Sequence, residues 1–389
     1  MNLVKEAQAM QNELKESLMY IHENAEIHFQ LDKTVAHVVK KLREFGYEPK
    51  VIGNNNVTAT VGKGGKTILM RADMDALPIL EDTGLPYASK NGNMHACGHD
   101  FNTVILLGAA KLLKQHESEL KGTVKLYFQP AEETISGCID GIKAGIMENP
   151  TVDAAIGIHM SGGERGKDDI FLNKGSLGSC DNYKITIKGQ NAHGAGPHAG
   201  KNAVVTASHI VIALQNIVSA EIPATGSVTL ATCKFVGGTA QNIIPDSAEL
   251  QGTIRTLDNE LQAKMRKRVP EIVENITKAF GMEYEFEWMA SVPVMKNNHD
   301  MLEDVARYTR DLGMNVEIQE NYGLASEDFS LISDKVPSVY LQFATFWHFE
   351  VSGPGRGGHT PYIVYDIERL HTGAAIFANT AARWLEENH

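Results

Sequence analysis

One thiol and two imidazoles fall within five residues in the run Asn93-Met94-His95-Ala96-Cys97-Gly98-His99-Asp100. Thiolate and imidazole are the ligands that borderline-soft divalent ions take best. The run sits between a Gly/Asn turn and the helical pattern Val104-Ile105-Leu106-Leu107. Singly these residues say little. A buried cysteine is more often small apolar filler than a ligand, and a loop histidine is more often solvated. Two further stations follow, Pro130-Ala131-Glu132-Glu133 and Gly157-Ile158-His159. Together the three read as a metal hydrolase.

Each station has a chemical use and a plain alternative. Adjacent Glu132 and Glu133 suit a site in which one carboxylate binds metal and the other takes a proton from water. The same pair would also suit a helix N-terminus, where acids complement the dipole. Asp73 and Asp75 flank Met74, so alternation puts both on one side if the strand continues. One of them can orient a histidine ligand, or both can be a solvated strand end. His193 lies in the loop Gln190-Asn191-Ala192-His193-Gly194, far from the metal stations, and could polarise a carbonyl. Asn242 and Arg255 stand out in Gln241-Asn242-Ile243-Ile244 and Gly252-Thr253-Ile254-Arg255. The arginine fork suits a carboxylate, although a surface strand cation fits equally. His359, in Gly357-Gly358-His359-Thr360-Pro361, reads by itself as a solvated loop residue. The match of Gly353–Gly358 to a dinucleotide fingerprint fails because a proline follows and no helix opens.

Elements must bring these stations together. Apolar strand patterns at 67–70, 124–128, 154–158 and 338–343 alternate with helical patterns at 2–24, 35–45, 100–114, 137–147, 300–312 and 366–387. Thr34 is the expected N-cap of the second helix and Gly46 its stop. This rhythm predicts an α/β domain with a mainly parallel sheet covered by helices. In such sheets ligands bind beyond the carboxyl ends of the strands, where Asp73, Asp75, Glu132, Glu133 and His159 fall. Between 181 and 292 the order becomes β-α-β-β-α-β, the ferredoxin-like unit. The expected organisation is one domain from 1–180 and 293–389, with 181–292 inserted.

Composition narrows the partners. The chain has 389 residues, 43% apolar and 22% charged, with formal net charge −12. That balance argues against electrostatic binding of nucleic acid or anionic membrane. There is no run of 18 apolar residues to span a membrane, and the start, Met1–Gln8, is amphipathic and not a signal sequence. Four cysteines (Cys97, Cys138, Cys180, Cys233) in so long a chain are no disulfide framework, so a reducing, cytoplasmic setting is expected.

The stretches Arg71–Ile79, Met94–Asp100, Phe128–Glu133, Gly157–His159, Asn242–Arg255 and Ser326-Glu327-Asp328-Phe329 together resemble the di-metal amidohydrolases related to aminoacylase and glutamate carboxypeptidase. The resemblance is to the branch of hippurate hydrolase, auxin–amino-acid conjugate hydrolases and N-acetyl-diaminopimelate deacetylase. It implies two divalent ions, zinc or manganese, on Cys97, His99, Glu133, His159 and His359. It implies Glu132 as general acid/base and Asp75 as the aspartate behind a ligand. His193 would be the lid histidine that helps hold the oxyanion, often in a partner subunit's site. Asn242 and Arg255 would grip the substrate's carboxylate. A small N-acyl-amino acid as substrate and a homodimer through the inserted lid/dimerisation domain follow by the same analogy. The chain departs from the pattern at His22-Glu23-Asn24-Ala25-Glu26, at 160–169, at Asn191-Ala192-His193-Gly194 and at 352–358. A dipeptidase or carboxypeptidase on the same scaffold is the nearest alternative. A non-catalytic ligand-binding protein is the alternative from another class.

Overall fold

The computed structural model describes residues 2–163, 170–320, 323–346 and 358–389, and the chain divides into two compact units. The first holds Met1–Gly175, Lys296–Asn321 and Leu331–His389, and the second Ser176–Met295 and Tyr322–Ser330. The Gly-rich approach to His359 up to residue 357, and 164–169 after His159, lie outside the described residues.

In the first unit eight described strands form one sheet. Its centre is parallel: Thr123–Gln129, Thr67–Asp73, Ala154–Gly163 and Ser338–Phe346 run side by side in one direction. Antiparallel strands flank it, Asn56–Gly62 on one side and Ile170–Asn173 on the other. Every residue of Thr67–Asp73 and of Thr123–Gln129 is buried. Helices on both faces would require this, which explains why the strands read as unbroken apolar runs.

Two of these helices, His99–Gln115 and Leu370–Glu387, are buried along most of their length and pack on one another. The approach is close. A Cβ on Gly108 would lie 2.7 Å from the Cβ of Ala374, and one on Gly373 would lie 2.7 Å from Ile105. The helix that begins at His99 is thus seated by small residues along its length.

Several boundaries differ from expectation for visible reasons. The helix expected over 2–24 is two, Leu3–Ala9 and Gln11–Glu23, separated at Met10. Thr34 is not an N-cap; it lies inside Asp32–Glu44. The carboxylate of Glu26 caps that helix instead, accepting from Lys33 N at 3.1 Å, Thr34 N at 2.9 Å and Thr34 Oγ1 at 3.0 Å. The helix at 137 ends at Lys143, ahead of Gly145 at φ +88°. The strand carrying His159 does not stop at Ile158. Pairing with Thr67–Asp73 ends at Arg71 opposite Gly157, but pairing with Ser338–Phe346 continues to Gly163. His159 therefore stands beyond the ladder on one side and within it on the other.

The second unit is an antiparallel sheet in the order Val228–Gly237, Ser247–Thr256, Cys180–Lys188, Glu283–Val292, with helices Ala203–Asn216 and Asn259–Ala279. The chain order and strand order are those of a ferredoxin-like unit. Tyr183, Ile185, Ile187, Leu250 and Ile254 form its core with Ile210, Leu214, Met265 and Val269. Lys184–Glu249, Lys234–Glu249 and Lys188–Glu285 ion pairs join neighbouring strands. Ala203–Glu221 is long and apolar enough by composition to cross a bilayer. Here Ala203, Ala207, Ile210 and Leu214 lie against the sheet.

Gly108→Val should lower the stability of the protein by about 1–3 kcal/mol, the usual cost of overpacking a core. A chemical denaturation midpoint equal to that of the unaltered protein would contradict the close helix approach.

Candidate metal centre

Gly98 makes the first station possible. It sits at φ +82° as the residue before the helix His99–Gln115, a left-handed conformation that glycine adopts without strain. A Cβ there would also lie 3.0 Å from Met160 and 3.1 Å from Tyr365. The turn puts Cys97 and His99 beside each other, with His99 fully buried in the first helical position.

The second station is a turn, not a helix start; the helix begins only at Gly137. Ala131 at φ +54° and Ile135 at φ +55° bracket Glu132 and Glu133. Non-glycine residues in this region are strained and persist where the surroundings hold them. Asp75 does the holding. Its carboxylate accepts the N–H of Glu132 at 2.9 Å and that of Glu133 at 3.2 Å. The same carboxylate lies 3.6 Å from His99 Nδ1. Asp75 thus sets both acidic residues and one imidazole at once.

His159 is oriented by its own backbone neighbour. Its Nδ1 is 2.6 Å from the carbonyl of Met160, which can only accept, so Nδ1 carries the proton and Nε2 faces Cys97 Sγ at 3.5 Å. His359 Nε2 lies 3.3 Å from the same sulfur and 3.5 Å from Glu133 Oε1. Its backbone N–H donates to Ala96 O at 3.0 Å, tying the last station to the first.

The result is two overlapping triads, Cys97/His99/His159 and Cys97/Glu133/His359, with the donor atoms of each within 4.8 Å of one another. A third group, His99/Glu132/Glu133, meets the same limit. Bonds of about 2.3 Å to sulfur and about 2.0 Å to nitrogen put tetrahedral ligands roughly 3.5 Å apart. The Cys97 separations match that spacing.

Electrostatics point the same way. Both ring nitrogens of His99 and Oε1 of Glu133 are buried with no hydrogen-bond partner. Each such orphan costs about 1–3 kcal/mol, and an ion held by His99 Nε2 and Glu133 Oε1 would remove two of these costs, Nδ1 facing Asp75 instead. Burial pushes the Cys97 thiol up to about 12, so a thiolate there requires a cation beside it. Burial disfavours charge on His99 too, yet the charge of Asp73 and the Asp75 carboxylate beside Nδ1 hold it well above the usual imidazole range. The donor set fits a divalent ion.

Sequence reasoning missed the frame behind these donors. Arg71, fully buried, gives Nη1 to Asp73 at 2.7 Å and Nε to Gln129 at 3.0 Å. Asn102 gives Nδ2 to Asp73 at 2.7 Å, while its Oδ1 accepts from Met160 N at 3.0 Å. Asn102 therefore joins the His99 helix, the Asp73 strand end and the strand that carries His159. The available signal was a polar residue at the start of an apolar helical run.

His193, Asn242 and Arg255 belong to the second unit. His193 pairs with Ile243, and its Nδ1 accepts from Ala195 N at 3.0 Å, which leaves the proton on Nε2. Gly194 N donates to Asn242 O at 2.7 Å, so His193 and Asn242 are neighbours. Arg255 is not with them. It lies towards the far end of Ser247–Thr256, about 26 Å along the strand from Ser247. Its Nη1 donates to Ser326 Oγ at 2.5 Å and its Nε to Thr253 Oγ1 at 3.1 Å. Within a single chain an extended strand separates Arg255 from Asn242.

Comparison with known proteins places the chain in a family. Residues 69–383 match the model of peptidase family M20/M25/M40. The chain is 37% identical to hippurate hydrolase of Campylobacter jejuni, over 99% of this chain and 100% of that protein. It is 36% identical to an N-acetyl-L-cysteine deacetylase of Bacillus subtilis, over 95% of this chain and 87% of that protein. Its fold superimposes with a TM-score of 0.78 on a dinuclear metal-binding M20 peptidase of Bacillus subtilis, at 31% identity and covering 97% and 99% of the two chains. The chain belongs to peptidase family M20/M25/M40 and is a hydrolase of amide bonds.

Proposed function

We propose that this protein hydrolyses N-acyl-amino acids to a carboxylate and a free amino acid, using two divalent ions held by Cys97, His99, Glu133, His159 and His359. The observation that carries the reading is the pair of triads sharing the Cys97 sulfur beside Glu132. The hippurate hydrolase and N-acetyl-L-cysteine deacetylase relatives support the substrate class. Thiolate and imidazole donors favour zinc, and the carboxylate tolerates manganese.

Bound there, such ions polarise the amide carbonyl and bring a water's pKa towards neutrality. The remaining work falls to the chain. Glu132, only 8% exposed, takes the proton of the attacking water and returns it to the leaving nitrogen. Water adds to the carbonyl carbon, the C–N bond breaks, and the products are the acid and the amine. Asp75 fixes the backbone of Glu132 and Glu133 and faces His99, so its part is to keep base and ligands in register. His193, with its proton on Nε2, is suited to hold the oxyanion. Arg255 is suited to hold the substrate's carboxylate, from the far end of its strand.

That separation fits a homodimer in which His193 and Asn242 serve a partner's site. Exposed Val205, Ile212, Phe235, Val236 and Ile243 on the second unit supply an apolar surface for such pairing. The four free cysteines fit a reducing, cytoplasmic setting.

Glu132→Gln should lower kcat by about 10²–10⁴-fold, the usual worth of a positioned general base, with metal content unchanged by elemental analysis. Near-normal turnover in that variant would remove Glu132 from the role. Cys97→Ala should lose ions from the purified protein, and full stoichiometric metal would count against the shared sulfur. Acetyl-, benzoyl- and aminoacyl-amino acids should be compared in one assay. Preference for the first two is expected; preference for the aminoacyl compounds would make the enzyme a dipeptidase.

A further inference from the structure

His22 is buried behind the metal loop and touches none of the proposed ligands. It projects from the helix Gln11–Glu23 between two carboxylates. Its Nδ1 is 2.7 Å from Asp100 Oδ2 and its Nε2 is 3.2 Å from Glu81 Oε1. Ionised carboxylates only accept, so both ring nitrogens donate and the ring is an imidazolium. Burial works against that charge, but the bonds to Asp100 and Glu81 outweigh it and raise the pKa to about 10.

Both carboxylates lead to metal-ligand segments. Asp100 follows His99 directly. Glu81, whose side chain is fully buried, organises its loop by accepting from Ser89 N at 2.7 Å and from Thr83 Oγ1. The next residue, Asp82, donates its N–H to Pro361 O at 2.8 Å, two residues beyond His359. His359 N in turn donates to Ala96 O at 3.0 Å. The connections close a ring: from Ala96–Asp100 through His22 to Glu81 and Asp82, then to Pro361 and His359, and back to Ala96. His359 is the proposed ligand with the most exposed side chain, at 54%.

We infer that His22 is a positioning residue, a charged strut that holds the His359 segment in register with the Cys97–His99 loop and so completes the Cys97/Glu133/His359 triad. The inference rests on the metal reading above. It extends that reading to a residue that neither binds an ion nor meets the substrate. A strut of this kind acts on one triad more than the other, because Cys97, His99 and His159 are seated by Gly98, Asn102 and Met160 instead.

The test is calorimetric titration of Mn²⁺ into metal-free protein, with folding checked by circular dichroism. His22→Asn keeps reach to Asp100 and loses Glu81. It should weaken one of the two ions by at least about tenfold, the usual effect of losing a partner behind a ligand, and change the other by less than about threefold. Glu81→Ala should do the same, and serves if His22→Asn does not fold. Glu81→Gln, which can still accept from His22 but not from Ser89 N as well, should weaken the same ion by less than Glu81→Ala does. Equal weakening of both ions in a folded variant, or no weakening in either, would overturn the strut. Failure of the unaltered protein to take up two ions would instead overturn the metal reading itself.

Discussion

Concentrated buried negative charge has to be matched by positive charge, and the first unit is organised around that requirement. Asp73, Asp75, Glu132, Glu133 and the Cys97 thiol converge on the edge of one sheet, all buried or nearly so. Unpaired, such groups would protonate or pull the structure apart. Asp73 has its own cation in buried Arg71, and Asp100 and Glu81 have theirs in His22. The set around His99 is left with orphaned donors. The fold thus places protein cations where carboxylates are structural and reserves a gap where a divalent ion fits.

The parallel sheet makes this convergence possible. Its strands end together, so residues far apart in sequence reach one edge from three adjacent strands. The finer placement comes from backbone strain and backbone hydrogen bonds. Gly98 turns the loop, Ala131 and Ile135 hold the acidic turn in a strained form, and Asp75 secures that turn through two N–H groups. The positions of the proposed ligands are therefore set largely by main chain.

Much of this was legible in the sequence because the informative residues are chemically marked and local. Cys97 and His99 mark the start of a helix, Glu132 and Glu133 follow a strand, and His159 comes at the end of an apolar run, although its strand continues beyond it. His359 could not be read that way. Alone it is a loop histidine, and its approach to Cys97 depends on a backbone bond to Ala96 across the whole chain. Thr34 was misread because its type suits a cap, whereas the acceptor came from Glu26 outside the helix. Asn102 and His22 sit inside helical patterns where polar residues are common, and their partners are supplied by tertiary structure. The separation of Asn242 from Arg255 was not legible because family resemblance orders residues along a chain, not across a strand ten residues long.

In the proposed site one sulfur, Cys97 Sγ, serves two ions. Titrating metal-free protein with Co²⁺ and following sulfur-to-cobalt charge transfer in the near ultraviolet tests it directly, because only thiolate ligation gives that band. A shared sulfur gives a band that develops over two equivalents and is absent in Cys97→Ser. A band complete at one equivalent, or no band while two ions bind, would contradict it.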